Sequence, residues 1–247
     1  MSHPTDIDVV ELSIVLPCYR EAENLPALLP GIKEAAAALT PKYEVLIVDT
    51  EQPMDDTAAI CAQYGVRYVN RRGGNSYGDA VRTLVTEARG TYMLCMDADG
   101  SHDPVYFASM WAKRHEADIT IGSRYVKGGH TENPLILIWM SYVINVVFRM
   151  VFSIRVKDMT NSFRLYRRAV LDGFHFRSND FDILEEILID VTIRDGDSRI
   201  VEVPVVFGRR KAGESKRKLV SFAFGYLKTL LRLRALAAQT RKELGKK

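Results

Sequence analysis

Three aspartates without a nearby cation are the first sign of chemistry in this sequence. Asp97, Asp99 and Asp103 follow an apolar run, Tyr92 to Met96, and no Lys or Arg lies among them. Carboxylates this close repel each other unless a positive charge lies between them. Mg²⁺ and Mn²⁺ take oxygen ligands and keep one or two protein carboxylates, with water and phosphate as the other ligands. Asp97 and Asp99 are therefore predicted to hold Mg²⁺ or Mn²⁺ together with a nucleotide diphosphate.

Asp103 has a different predicted role. It precedes Pro104, and an Asp followed by Pro is typical of a helix N-cap with proline at the first helical position. We therefore assign Asp103 to helix capping and leave the metal to the other two acids.

The elements that must position these acids alternate regularly. Between residues 12 and 125, short apolar runs alternate with helical segments through short connections. This order predicts an α/β fold that is Rossmann-like, with a mostly parallel sheet and helices on both faces. Ligands of such sheets bind at the carboxyl ends of the strands. The predicted strands end at Pro17, Asp49 and Asp97, so the acids gather where a ligand should bind.

Two later segments are strongly apolar. The stretch 134–148 fits a buried helix and an interfacial helix equally well, because periodicity alone does not separate them. The stretch 219–238 predicts a C-terminal amphipathic helix, since Ser221, Gly225, Lys228 and Arg232 fall on one face.

Composition and charge narrow the class of protein. Hydrophobic residues make up 47% and charged residues 26% of the 247, as in ordinary soluble domains. The three cysteines show no paired spacing, which favours a reducing, cytoplasmic compartment. Residues 209–247 carry a net charge of +11, against +3 for the whole chain, which leaves −8 for the rest. The basic tail predicts an anionic membrane surface as its partner; no nucleic acid is expected.

Six short motifs, in this order, carry a resemblance to a known family: IVLPCYREAENL, YEVLIVD, MDADGSHDP, GSRY, NSFRLY and GRRKAGESK. The chain resembles family 2 glycosyltransferases over residues 11–218, and most of all the polyprenyl-phosphate sugar transferases that include dolichol-phosphate mannosyltransferases. The resemblance implies a GT-A domain over residues 1–215. Residues 216–247 would then form a basic, amphipathic, membrane-proximal helix and tail.

The resemblance also implies roles for particular residues. The nucleotide-sugar site would comprise Pro17, Tyr19, Glu21, Asp49 and Asp97. The metal site would comprise Asp97, Asp99 and Ser101. The acceptor phosphate would be bound by Arg124, Arg164, Arg210 and Lys216. The catalytic residues would be Asp99, Arg124 and Arg164. Arginine suits such a role because its planar fork matches phosphate oxygens.

The implied reaction is an inverting transfer of a sugar, mannose or glucose, from a nucleoside diphosphate to a polyprenyl or dolichyl phosphate. It would occur at the cytoplasmic face of a membrane, on a peripheral protein that a membrane-anchoring partner subunit could assist. A phosphate acceptor is already anionic near neutral pH, so it needs no strong general base. The many cations late in the chain favour such an acceptor.

Alternatives stay open because the sequence departs from the family pattern. Thr50 replaces the second acid that usually follows Asp49. A transferase acting on a glycan hydroxyl would need a carboxylate base, for which Asp182, Glu185 or Glu186 could serve. The stretch 181–196 predicts a further helix, in which the family has a single acid, and Glu185 and Glu186 match that acid equally well. A catalytically inactive, membrane-bound scaffold of the same fold is the third hypothesis.

Overall fold

The structure is a computed structural model that describes residues 9–194, 199–208 and 219–245. The strands are β1 Leu12–Pro17, β2 Tyr43–Asp49, β3 Arg67–Asn70, β4 Tyr92–Cys95, β5 Ile119–Ser123, β6 His130–Thr131, β7 Arg164–Arg167, β8 Ile200–Pro204 and β9 Val206–Phe207. The helices are α1 Leu25–Leu39, α2 Thr57–Tyr64, α3 Tyr77–Glu87, α4 Phe107–Trp111, α5 Leu135–Phe152, α6 Ile183–Arg194 and α7 Leu219–Glu243. Short 3-10 helices cover Pro104–Tyr106 and Arg168–Leu171.

The main sheet has the strand order β3-β2-β1-β4-β7-β5-β8. Strand β7 runs antiparallel to both of its neighbours, β4 and β5, and the other pairs are parallel. Strands β6 and β9 form a separate parallel pair. The prediction of a mostly parallel sheet is confirmed, although the sequence pattern did not predict the antiparallel strand β7 within it or the short strand β6 outside it.

Two hydrophobic layers cover the two faces of the sheet. Ile14 and Leu16 of β1 pack in the layer that contains α1, α2 and α4, whereas Val15 packs in the layer that contains α3 and α6. Successive side chains of a strand point to opposite faces, so an uninterrupted apolar run supplies both layers at once. The continuous apolar runs of β1, β2 and β4 have this explanation.

The start of α3 is fixed by a glycine and a capping box. The Ser76 hydroxyl accepts a hydrogen bond from the Asp79 N–H at 3.1 Å, and the Asp79 carboxylate accepts one from the Ser76 N–H at 3.0 Å. The Gly78 N–H donates to the Asn179 carbonyl at 2.7 Å, and a Cβ at position 78 would lie 2.2 Å from the Ser178 carbonyl oxygen. Only glycine therefore lets α3 approach the loop before α6 this closely.

The predicted C-terminal helix is present as α7. Leu233 and Ala237 are buried in the same hydrophobic layer as α6, and α6 and α7 are in contact. The later part of α7 therefore packs on the domain. The predicted boundary between residues 215 and 216 lies outside the described residues and stays a prediction.

Candidate active site

The carboxyl ends of the central strands form one edge of the sheet. Pro17 at the end of β1 is opposite Val48, and Asp49 at the end of β2 is opposite Asn70. Strand β4 is parallel to β1, and the chain continues from it through Met96 into Asp97. The structure thus brings the predicted residues Pro17, Asp49 and Asp97 to the same edge.

Asp49 is a buried carboxylate, 1% exposed, at this edge. It accepts a hydrogen bond from the Tyr68 hydroxyl at 3.1 Å. Burial nevertheless raises the pKa of Asp49, because the loss of water outweighs that hydrogen bond. Thr50 is also buried, and its hydroxyl donates to the Gln52 carbonyl at 2.7 Å. Thr50, which replaces the family's second acid, thus stabilises the turn that follows β2.

Tyr19 offers an aromatic surface beside Arg71. Its side chain is 49% exposed, and the guanidinium carbon of Arg71 lies 5.9 Å from the ring centroid. Arg71 is buried and donates to the Cys18 carbonyl, so it ties the end of β1 to the loop after β3. Arg71 was not assigned a role from the sequence. The pair Arg71 and Arg72 directly after the third strand could have indicated it. Glu21, the third predicted residue here, accepts a hydrogen bond from the Asn24 amide at 2.6 Å.

Two serines orient the predicted metal-binding acids. Asp99 is buried and its Oδ1 accepts hydrogen bonds from the Ser101 N–H at 3.0 Å and from the Ser101 hydroxyl at 2.6 Å. Asp97 Oδ2 accepts a hydrogen bond from the Ser162 hydroxyl at 2.9 Å. Ser101 was predicted to be a metal ligand, and here its proton is directed at Asp99. Ser162, which sequence reasoning did not assign, is the second residue of the N-S-F-R motif.

The chemistry of this donor set fits a hard divalent cation. Within the described residues, no group of three or more His, Cys, Asp or Glu side chains could hold a metal ion. A site of two carboxylates, Asp97 and Asp99, is the arrangement expected for Mg²⁺ that also binds substrate phosphates. Asp103 does not join it: its Oδ1 accepts from the Val105 N–H at 2.9 Å at the start of the 3-10 helix, as the capping prediction expected.

Arg124 follows β5 and is held by a buried acid. Its Nε and Nη2 donate to the two carboxylate oxygens of Asp158 at 2.8 and 2.6 Å, and its main-chain N–H donates to Oδ2 at 2.9 Å. Nη2 also donates to the Thr160 hydroxyl at 2.8 Å. The forked contact fixes the plane of the guanidinium. Asp158 was not assigned a role from the sequence, because no sequence pattern indicates that it pairs with Arg124.

Arg164, which was predicted to bind the acceptor phosphate and to be catalytic, lies in the core. It is completely buried in β7, and its guanidinium donates to the main-chain carbonyls of Met159, Asn161 and Leu184. This placement argues against the predicted phosphate contact, because a buried guanidinium bonded to carbonyls has no surface to offer a ligand. Arg164 instead joins the loop before β7 to the first turn of α6.

Arg210 and Lys216 lie outside the described residues, so their predicted contacts with the acceptor phosphate stay predictions. The chain reaches this segment from Gly208, whose N–H donates to the Ser101 carbonyl at 3.0 Å. Gly208, the last described residue before this segment, therefore lies beside the turn that carries Asp99.

The structure separates Glu185 from Glu186, which the sequence left equivalent. Glu186 accepts hydrogen bonds from the N–H groups of Arg177 and Ser178 at 2.9 and 2.8 Å, so it secures the loop before α6. Glu185 is buried, and burial raises its pKa to about 7 against the opposing attraction of Arg164. Its Oε2 atom is buried and has no hydrogen-bond partner among the described residues.

Replacing Glu185 should change how stability depends on pH. A carboxyl group whose pKa is raised in the folded state contributes stability below its unfolded pKa of 4.5 and loses that contribution as the pH rises through about 7. Between pH 5 and pH 8, the free energy of unfolding of Glu185→Gln should therefore rise relative to wild type by up to about 3 kcal/mol. Urea unfolding of both proteins at the two pH values measures this, and parallel pH dependences would contradict it.

The fold is that of GT-A glycosyltransferases. It is similar to the structure of glucosyl-3-phosphoglycerate synthase from Mycobacterium tuberculosis in complex with Mn²⁺, UDP and glucosyl-3-phosphoglycerate, with a TM-score of 0.68 and 17% identity over 90% of this chain and 79% of that one. A second solved structure, of a mycobacterial protein, gives a TM-score of 0.71 with 16% identity over 94% of this chain and 80% of that one.

Sequence comparison then gives the family. The profile of glycosyl transferase family 2 matches residues 13–174, and the chain belongs to this family. It is 35% identical to a dolichol-phosphate mannosyltransferase of Pyrococcus furiosus over 91% of this chain, and it spans 64% of that relative's length. It is 32% identical to an undecaprenyl-phosphate mannosyltransferase of Micrococcus luteus over 82% of this chain and 85% of that relative. The predicted family resemblance is confirmed.

Proposed function

We propose that the protein transfers a sugar from a nucleoside diphosphate to a polyprenyl phosphate, with inversion at the anomeric carbon. One observation carries the proposal: Arg124, a candidate phosphate-binding residue, adjoins an exposed apolar helix. The Thr160 hydroxyl that accepts from Arg124 lies 3.5 Å from the Ser141 hydroxyl of α5, and the rings of Tyr125 and Tyr142 are 5.9 Å apart. A ligand with an anionic head and an apolar tail matches this arrangement.

Helix α5 provides the apolar part of the surface. Leu135 is 83% exposed and Trp139 66% exposed, and with Tyr125 and Tyr142 they line a groove of about 510 Å³. Within the described part of the chain, α5 is the one helix long and apolar enough to cross a membrane, and only 17% of it is buried. Exposed apolar surface of this extent is typical of a contact with lipid or with another protein. We assign it to the membrane that contains the acceptor.

The residues of the sheet edge would bind the donor. Asp97 and Asp99 would hold Mg²⁺ or Mn²⁺ on the diphosphate, while Tyr19, Asp49 and the neighbouring Pro17 and Glu21 would bind the nucleoside. A bound metal would neutralise the charge that grows on the departing diphosphate. Asp99 and Ser101 form a short turn in which the carboxylate is already oriented, so little reorganisation would accompany donor binding.

The acceptor would be oriented by Arg124 from the other side. The guanidinium, fixed by Asp158, would align the phosphate so that one of its oxygens attacks the anomeric carbon. The new carbon–oxygen bond forms as the bond to the nucleoside diphosphate breaks, and the diphosphate leaves with the electron pair. The attacking oxygen carries no proton near neutral pH, so the step requires no general base. The sugar would be mannose or glucose.

The two other hypotheses have less support. Transfer to a glycan hydroxyl would need a carboxylate base, but Glu185 is buried, Glu186 binds main-chain N–H groups, and Asp182 accepts a hydrogen bond from Arg232. An inactive scaffold is disfavoured by the oriented pair of Asp97 and Asp99. The alternatives therefore serve as outcomes of the test.

A transfer assay distinguishes all three hypotheses. Purified protein in detergent micelles would be given Mn²⁺, radiolabelled GDP- or UDP-linked mannose or glucose, and one acceptor: polyprenyl phosphate, free polyprenol or a glycan. Label should become extractable into organic solvent with polyprenyl phosphate and not with polyprenol. Transfer to the glycan would favour the hydroxyl hypothesis, and nucleotide binding without any transfer would favour the scaffold.

Acidic residues introduced on α5 should weaken membrane binding. Burying a large apolar side chain contributes about 1.5–3 kcal/mol, so the double variant Leu135→Glu/Trp139→Glu should bind anionic liposomes at least about tenfold more weakly than wild type. Co-sedimentation at low and high salt measures this and also reports the predicted contribution of the basic segment 209–247, which salt would weaken.

Val105→Glu is the matched control for this experiment. Val105 is 68% exposed and lies on the 3-10 helix that precedes α4 and contacts α1 and α4, so the same substitution there should leave liposome binding unchanged. If wild-type protein fails to bind anionic liposomes at low salt, the membrane assignment is wrong, and α5 would instead be the contact for a membrane-anchoring partner subunit.

A further inference from the structure

A buried histidine contacts the main chain of the metal-binding turn. His102 is buried, and its Nδ1 accepts a hydrogen bond from the Asp97 N–H at 2.9 Å. Since Nδ1 accepts, the proton of the neutral ring is on Nε2. The hydrogen bond closes a loop of six residues, from Asp97 to His102, that includes the three predicted metal ligands Asp97, Asp99 and Ser101.

Asn161 stabilises the tautomer of His102 that carries its proton on Nε2. Its Oδ1 lies 3.2 Å from His102 Nε2, and its Nδ2 donates to the Gly122 carbonyl at 2.5 Å. The carbonyl contact orients the amide so that its oxygen faces the histidine and accepts the Nε2 proton. The main-chain carbonyl of Asn161 in turn accepts from Arg164 Nε at 2.7 Å. The buried Arg164 thus supports the residue that sets the histidine tautomer.

Aromatic rings hold His102 in place. Phe163 stacks on it with ring centroids 4.7 Å apart and an interplanar angle of 14°, and Phe207 meets it edge-on at 5.2 Å. Ser162, between Asn161 and Phe163, donates to the Asp97 carboxylate. The segment 161–164 is therefore connected to Asp97 in two ways. Ser162 binds the Asp97 carboxylate directly, and Asn161 binds His102, which accepts a hydrogen bond from the Asp97 main-chain N–H.

We propose that His102 and Asn161 are positioning residues for the nucleotide and metal site, a role that rests on the proposed function. They fix the main chain of Asp97 so that the Asp97 and Asp99 carboxylates meet a divalent cation together. Neither residue contacts substrate in this role. Partners that orient metal ligands typically change metal affinity by about ten- to a hundredfold when they are removed.

The test compares two substitutions of the histidine. His102→Leu removes the acceptor at about the same side-chain volume, whereas His102→Asn keeps an oxygen near the Nδ1 position. Calorimetric titration with GDP and with UDP, in Mn²⁺ and in chelator, gives the metal-dependent gain in affinity. That gain should fall about ten- to a hundredfold in His102→Leu and be partly recovered in His102→Asn, with nucleotide affinity in chelator unchanged. Leu29→Ala, a core substitution in α1, should lower thermal stability without changing the gain.

A second readout does not depend on metal or nucleotide. Imidazole ¹⁵N shifts should place the His102 proton on Nε2, and the Asp97 amide should exchange slowly in wild type and at least about tenfold faster in His102→Leu and Asn161→Leu. Unchanged exchange in these variants, or equal losses of nucleotide affinity with and without metal, would overturn the proposal. A wild-type protein with protected Asp97 but no metal-dependent affinity would contradict the proposed function and leave the positioning of Asp97 supported.

Discussion

Asp99→Ala should reduce sugar transfer by about a thousandfold or more while leaving the fold intact. The expected loss is large because this carboxylate would hold the cation that stabilises charge on the leaving diphosphate. The fold should survive because the hydrogen bonds described for Asp99 go to Ser101, two residues away. Transfer rates at saturating Mn²⁺, together with thermal unfolding of the same samples, measure the two effects.

Asp103→Ala is the control within the same loop. Asp103 caps the following 3-10 helix, so its loss should lower stability by about 1 kcal/mol and change transfer little. If Asp99→Ala retained transfer within tenfold of Asp103→Ala, Asp99 could not be a metal ligand in the reaction.

Arg124→Ala should reduce transfer by about a hundredfold or more and also destabilise the protein. The substitution removes a candidate phosphate ligand and leaves Asp158 buried without its forked partner. Removing one partner of a buried ion pair typically costs about 3–5 kcal/mol. Arg124→Lys should recover part of the stability but little of the activity, because an ammonium group does not reproduce the forked contact. Urea unfolding and transfer assays measure the two quantities separately.

A double variant separates these two roles of Arg124. Arg124→Gln/Asp158→Asn removes both charges, so it should recover much of the stability that Arg124→Ala loses. Its transfer rate should stay low, since no guanidinium is present to orient the acceptor. Wild-type transfer in this double variant would mean that Arg124 has only a structural role.

The sheet edge was predictable because its signal is local. Apolar runs that end in Asp49 and Asp97 predict strands, and parallel strands bring their carboxyl ends together without further information. The capping role of Asp103 was equally local, because it depends on the residue that follows. For these residues, the types and their spacing were sufficient.

The burial of Arg164 was not predictable in the same way. Arg124 and Arg164 both follow or begin short apolar stretches, and both belong to family motifs. Arg164 is buried because β7 lies between β4 and β5 as an antiparallel strand, which depends on long-range pairing. Four residues of strand are too few to indicate that placement.

The sequence also did not reveal which way side chains on the helices point. Adjacent residues of a helix point about 100° apart, so Glu185 and Glu186 have different surroundings although their types are identical. For α5, hydropathy is the same whether the helix is buried or exposed. Its described neighbours bury only Asn145, Phe148 and Phe152, which leaves the rest of an apolar helix exposed or half-buried.

Calorimetric titration of the wild-type protein with GDP and with UDP, in Mn²⁺ and in chelator, tests the central claim most directly. The pair of Asp97 and Asp99 predicts that Mn²⁺ raises the affinity for at least one of these nucleotides by about tenfold or more, equivalent to about 1.4 kcal/mol. The gain should be absent in Asp99→Ala. Equal affinities with metal and with chelator in wild-type protein, for both nucleotides, would contradict a metal site at Asp97 and Asp99.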